Sequence, residues 1–234
     1  MQGKRDPEEL ATALAHMARD LLTQPSVQDT LDRIGHHATE LVDGCTDAGI
    51  LVLDGTRVRT LSATSSLVEH SDRLQGECGE GPCFDAVRDR QEVYRIPDMT
   101  DTVDRWPRFA PKARDLGIGS MMGFLLFTED ERYGALDLYS TDPDAFNERS
   151  EQVGWLLASH AAVALASAQH DAQLRDAIAT RQEIGEAMGI LMERYKISER
   201  QAFAVLVEAS QRQNTKLREI AGTVTATGEL PGAR

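Results

Sequence analysis

Six basic side chains fall within residues 194–218 (Arg194, Lys196, Arg200, Arg212, Lys216 and Arg218), against only Glu199 and Glu208. Guanidinium and ammonium groups so gathered suit phosphate oxygens, and Tyr195 and Asn214 among them could stack on or hydrogen-bond an unpaired base. A solvated helix face has the same composition, so charge alone leaves both readings open. A second chemical pair is Cys78 and Cys83, in a stretch that also holds Gly76, Gly79 and Gly81. Two thiols in a mobile loop could form a reversible disulfide; a packed Cys83 would be a small core residue, as Cys45 at a helix end is expected to be. His36, His37 and His70 have no Cys or His partner at zinc spacing. Asp101, Asp104 and Asp137 are scattered and read as surface or capping groups, and no P-loop or nucleophile elbow occurs. No catalytic residue, metal or cofactor is assigned, and the chain reads as a non-enzyme.

Of the 25 Lys and Arg and 38 Asp and Glu in 234 residues, residues 170–234 hold nine of each, so the whole net charge of −13 lies before residue 170. The two parts therefore differ in character. Screening over about 8 Å at physiological salt lets a local basic patch persist beside an acidic neighbour. With 41% hydrophobic residues the chain can bury a core. No apolar run approaches the roughly 18 residues of a membrane span, and the start lacks the apolar segment of a secretory signal. Three cysteines suit a reducing compartment, so the expectation is a cytoplasmic protein.

The elements that must position these groups follow from periodicity. Leu10, Leu14, Met17 and Leu21 form a helical seam that Pro25 ends; Val27, Leu31, Ile34, Ala38 and Leu41 form a second, closed by Gly44. Ala48–Leu53 and the alternating Thr56–Ala63, separated by Asp54-Gly55, predict a hairpin. Residues 64–118 read as irregular apart from a strand at Val93–Ile96, the kind of stretch that lines a binding site. Ser120–Thr128 and Tyr133–Ser140 predict two strands joined by the polar turn Glu129–Arg132. Residues 148–195 are rich in helix formers, a single helix of about 70 Å if continuous. Trp155, Leu156, Val163, Leu165, Leu174 and Ile178 are its expected apolar contacts, and Gly185 and Gly189 imply close packing or a kink. Ser198-Glu-Arg-Gln201 predicts a capping box opening another helix, with Ala202, Phe203, Leu206, Ala209 and Ser210 on its inner face. Asn214 or Thr215 would cap a last helix facing inward through Leu217, Ile220, Ala221 and Val224.

Two resemblances carry more than this. Arg181–Lys196, Ile197–Phe203 and Asn214–Ala221 resemble the ANTAR family of RNA-binding antitermination modules, over about Leu174 to Val224. Ser120–Phe127, Gly134–Ser140 and Ala145-Phe146 resemble the closing strands of a GAF sensory domain. Gly79-Glu-Gly-Pro-Cys83 and Arg105-Trp-Pro-Arg-Phe109 look like the form that precedes ANTAR modules in actinobacteria. The implied architecture is α+β: an N-terminal helix over 1–25, an antiparallel-sheet GAF sensor over 26–168, then over 169–234 a coiled-coil linker helix and an all-α three-helix ANTAR module. The resemblance implies a six-stranded or similar sheet with an unidentified small-molecule ligand on one face. It implies a homodimer whose modules bind paired RNA stem-loops in leader transcripts, favouring an antiterminator. Arg194, Tyr195, Lys196, Arg200, Arg212, Asn214, Lys216 and Arg218 would then form the RNA site. Met188, Val207 and Glu208 stand where many relatives carry basic residues. The competing readings are a GAF-type, thiol-dependent reductase of small sulfoxides using Cys78 and Cys83, and a DNA-binding helix-turn-helix over 198–226, whose turn lacks the usual glycine.

Overall fold

Capping residues open the first two helices where the apolar spacing predicts them. Helix α1 (Pro7–Leu22) starts at an Asp6/Glu9 capping box, and α2 (Val27–Leu41) starts at Ser26, whose hydroxyl accepts the Asp29 backbone N–H at 3.1 Å. The structure, a computed structural model, describes residues 6–54, 57–89, 93–127 and 132–232. The turns expected at Asp54-Gly55 and Glu129–Arg132 lie outside the described residues, save for their ends Asp54 and Arg132. The chain forms two units, Met1–Gln169 and His170–Arg234.

In the first unit, strands β1 (Asp47–Asp54), β2 (Arg57–Ala63), β3 (Val93–Ile96), β4 (Ser120–Phe127) and β5 (Arg132–Ser140) make an antiparallel sheet in the order β2-β1-β5-β4-β3. Five strands are therefore seen among the described residues, against the six or so implied. Both sheet faces are covered. Ala48, Ile50, Met122, Phe124, Leu126, Leu136 and Leu138 pack on α1, α2 and the start of α6 (Glu148–Tyr195). Leu51, Met121, Ala135 and Tyr139 face the opposite way, under residues 68–118. Burial on two sides is why β4 reads as a continuous apolar run instead of alternating.

The expectation of an irregular 64–118 is overturned. This segment forms α3 (Ser66–Cys78), α4 (Pro82–Asp89), a 3-10 turn at Met99–Thr102 and α5 (Ala110–Asp115). Helix α3 carries no apolar signature because its inward positions are Val68, Ser71, Asp72, Gln75 and Cys78. They keep helical spacing, but three of them are polar, so no hydrophobic period shows.

Helix α6 runs unbroken over 48 residues, started by Asn147, whose side-chain oxygen accepts the backbone N–H groups of Arg149 (2.9 Å) and Ser150 (3.1 Å). Its first part buries Val153, Leu157, Ala161 and Leu165 in the first unit. Trp155, Leu156, Val163, Leu174 and Ile178, expected to make apolar contacts, are instead exposed. The last part of α6 joins α7 (Glu199–Gln213) and α8 (Leu217–Thr227) around Ala187, Leu191, Ala202, Leu206, Ala209, Ile220, Ala221 and Val224.

Candidate functional site

Apart from Arg175 and Arg181 on α6, six cations of the second unit lie near the two ends of α7. That helix opens at Ser198, whose backbone N–H donates to the Gln201 side-chain oxygen at 2.9 Å. Asn214 does not cap α8; it closes α7 in the left-handed region (φ 50°, ψ 40°), a conformation asparagine tolerates because its short amide can bond locally. The residue that stands at the N-cap of α8 is Lys216, and its side chain makes no capping bond.

The basic residues then divide by role. Arg194 donates to the Gly228 carbonyl (2.7 Å) and to Glu229 (2.9 Å), fastening the end of α8 to α6. Lys196, held at φ 54°, bonds the Glu193 carboxylate. Arg200 lines a groove. Arg212, Lys216 and Arg218 are exposed and make no ion pair among the described residues. Arg194, Tyr195, Lys196 and Arg200 lie near the start of α7, and Arg212, Asn214, Lys216 and Arg218 near its end, about 20 Å apart along its axis at 1.5 Å per residue. Lys216 and Arg218 also sit at the positive end of α8, where cations are unfavourable to the helix and free N–H groups face an anion. An arrangement that costs helix stability and concentrates unneutralised positive charge is suited to phosphate. Among the residues named as departures, Glu208 is exposed, and Met188 and Val207 are half-buried.

At the start of α7, a groove of about 620 Å³ is lined by Ile184, Gly185, Met188, Gly189, Met192 and Phe203, with Arg181, Glu199 and Arg200 at its polar positions. Phe203, expected on the inner face of α7, is 45% exposed here. Gly185 and Gly189 do not pack closely on a neighbour; a Cβ on either would have nothing within 4 Å.

In the first unit the two short motifs turn out to be fastened to each other. The Glu80 carboxylate accepts the backbone N–H groups of Arg108 (2.9 Å) and Phe109 (3.2 Å), and Trp106 donates its indole N–H to Asp85 at 2.9 Å. The Arg105 guanidinium lies over the Tyr94 and Trp106 rings, 4.6 and 4.8 Å from their centres. Cys78 ends α3 and Cys83 lies in the first turn of α4; both thiols are free and buried. Burial, followed by the nearby Asp137 charge, pushes the Cys83 thiol well above its ordinary range, which disfavours the reactive thiolate. Burial likewise pushes Cys45, half-buried against the core, up to about 12.

The structure overturns the expectation that Asp137 is a surface or capping carboxylate. It is fully buried on β5, facing α3 and α4, while Asp101 and Asp104 are exposed. Its neighbour Asp72 accepts the Thr60 hydroxyl at 2.7 Å and the Tyr139 hydroxyl at 3.1 Å. Burial, then the Asp72 charge, raises Asp137 well above the usual carboxylate range, and burial raises Asp72 to about 6. Among the described residues no group of three or more His, Cys, Asp or Glu is placed to hold a metal ion.

A two-faced α+β unit closed over buried acids is thus followed by a small helical unit with unneutralised cations. The chain belongs to the GAF domain family, whose model matches residues 24–166, and residues 172–224 match the ANTAR domain. No curated protein matches the chain. The fold is shared with the GAF domain of an Acinetobacter phosphoenolpyruvate-protein phosphotransferase (TM-score 0.54, 15% identity, 71% of this chain and 97% of that one). It is shared also with a free methionine-R-sulfoxide reductase from Neisseria meningitidis in complex with its substrate (0.54, 14%, 72% and 96%). A phycoerythrobilin-bound GAF domain from a cyanobacterial phytochrome is similar to the same degree (0.53, 13%, 69% and 97%). Together the two domain matches support a regulator built from a GAF sensor and an ANTAR region. No helix among the described residues is long and apolar enough to cross a membrane.

Proposed function

We propose that the chain is a cytoplasmic antitermination regulator of the actinobacterial kind. Its ANTAR module grips paired stem-loops in leader transcripts, and its GAF unit takes an unidentified small molecule. The observation that carries the reading is the set of unneutralised cations Arg212, Lys216 and Arg218 around the α7–α8 joint, in a segment that matches the ANTAR domain. Asn214, held in the left-handed region between them, supplies an exposed amide for an unpaired loop base. Arg194 has the weaker claim, because its guanidinium is occupied by Gly228 and Glu229.

A homodimer is supported by Leu174, Ile178, Met188 and Met192, which fall on one 4-3 seam of α6 that Arg181 and Gly185 interrupt. Leu174 and Ile178 are 52% and 58% exposed, and the glycine groove continues the same seam. A regulator of this kind needs no catalytic group, and the raised, buried Cys83 thiol fits packing better than sulfoxide reduction.

The test is a fluorescence-anisotropy competition between an RNA carrying two linked hairpins and a duplex DNA of equal length at matched salt. Preference for the hairpin RNA, with two protein copies per RNA, is the expected result. Equal affinity, or preference for the duplex, overturns the reading.

A further inference from the structure

Asp137 occupies an unusual place in the sheet. On β5 it pairs with Gly49 of β1 on one side and Gly123 of β4 on the other. Because both neighbours lack side chains, α3 and α4 descend onto the sheet there. A Cβ on Gly49 would lie 2.3 Å from Val68 Cγ1 of α3, and one on Gly123 would lie 3.1 Å from Cys83 Sγ of α4. Asp137 is thereby sealed at the foot of both helices, with no solvent exposure.

The seal leaves its charge without compensation. No nitrogen or oxygen donor among the described residues reaches either Asp137 oxygen, and the Cys83 thiol beside it is only a weak donor. The titratable groups facing the pair are Glu69 and Asp72 from α3, Cys83 from α4 and Tyr139 from β5; β2 contributes the Thr60 hydroxyl, and β1 and β4 only glycines. Arg57 of β2 and Arg73 of α3 are exposed and line a surface groove with Thr60 and Glu69; neither is among the groups that shift the two carboxyls. A bare carboxylate in such a place costs several kcal/mol, and proteins answer by neutralising it. Asp72 is bonded to Tyr139, which lies two residues from Asp137 on the same face of β5, so the two carboxyls are neighbours, a placing that is favourable only when one of them carries a proton. Asp72 already accepts from Thr60 and Tyr139. It is therefore the natural acceptor, and Asp137 the donor.

We propose that Asp137 enters the folded state as a neutral acid donating its proton to Asp72, and that this shared proton is the catch holding α3 and α4 closed on the sheet. The device responds to pH in one direction. In the unfolded chain an Asp titrates near 3.9; in the fold Asp137 titrates higher, because burial disfavours its ionised form. Its stabilisation is thus complete below about pH 3.9 and is lost as pH rises through the folded value. In that window the catch releases with one proton, so the opening equilibrium rises about tenfold per pH unit. Release would uncover Cys83 and the sheet face beneath α3 and α4, whatever the output unit binds.

Two measurements on the full chain test this. Infrared spectra at pH 7 should contain the C=O stretch of a protonated carboxylic acid, lost in Asp137→Asn; absence of that band from the wild-type chain overturns the proposal without recourse to a variant. Hydrogen exchange of amides 66–89, corrected for the intrinsic pH effect, should accelerate in the wild type above about pH 6, beyond the range in which Asp72 titrates, and level off at the folded value of Asp137. It should stay level in Asp137→Asn, whose amide keeps a donor to Asp72 but cannot ionise. Equal acceleration in both proteins refutes the catch.

Discussion

Replacing Lys216 and Arg218 by Ala isolates the proposed phosphate contacts from the fold. Neither side chain makes an ion pair among the described residues, and Lys216, though it stands at the N-cap of α8, caps nothing. Both cations oppose the helix dipole, so their removal should stabilise α8 by on the order of 0.3 kcal/mol each. The cost should fall on RNA alone. Each phosphate neutralised on a single-stranded segment contributes about 0.7 to the slope of log affinity against log salt, so loss of two flattens it by about 1.4. Between roughly 50 and 200 mM salt the wild-type chain should then lose about sevenfold more affinity than the variant, and the two should converge at high salt. Fluorescence anisotropy with a two-hairpin RNA, titrated with salt, reads both quantities, while circular dichroism melting confirms the fold. An unchanged slope with unchanged affinity would remove both residues from the site and, with them, the argument from the α8 terminus.

Three further outcomes are expected. Arg194→Ala should cost the second unit about 1 kcal/mol by freeing the Gly228 carbonyl and Glu229, seen as faster amide exchange at the end of α8, with the RNA salt slope intact. Gly49→Ala forces a Cβ to within 2.3 Å of Val68 and 2.9 Å of the Ser62 carbonyl, and should lower the urea stability of the first unit by about 1–3 kcal/mol. Leu174→Glu combined with Ile178→Glu puts charge on the exposed α6 seam and should shift native mass from two copies to one; an unaltered dimer would place the interface elsewhere.

How much could be read in advance depended on whether a residue's inward face was apolar. Helix α6 was legible because Ala, Leu, Glu, Gln and Arg fill 148–195 without a proline, and local propensity needs no partner. The start of α7 was legible because Ser198 and Gln201 bond each other within a single turn. Helix α3 was not, since it turns Ser71, Asp72 and Gln75 inward, and a polar residue reveals its burial only through partners distant in sequence. Gln75, for one, accepts the backbone N–H groups of Cys83 and Phe84 at 3.0 and 3.1 Å.

From the order of residues alone come the boundaries of α6 and the start of α7, the two-part division of charge and the placing of basic side chains around short joints. These are local properties, set by propensity, capping and composition over a few turns of chain. Only the tertiary structure could decide which cations are spent on the fold and which stay unneutralised, because Arg194 meets Gly228 across 34 residues. Only strand register could set Asp137 between Gly49 and Gly123 and under two helices. A carboxylate's charge state depends on what surrounds it in space, and neither its own identity nor its neighbours in sequence contain that information.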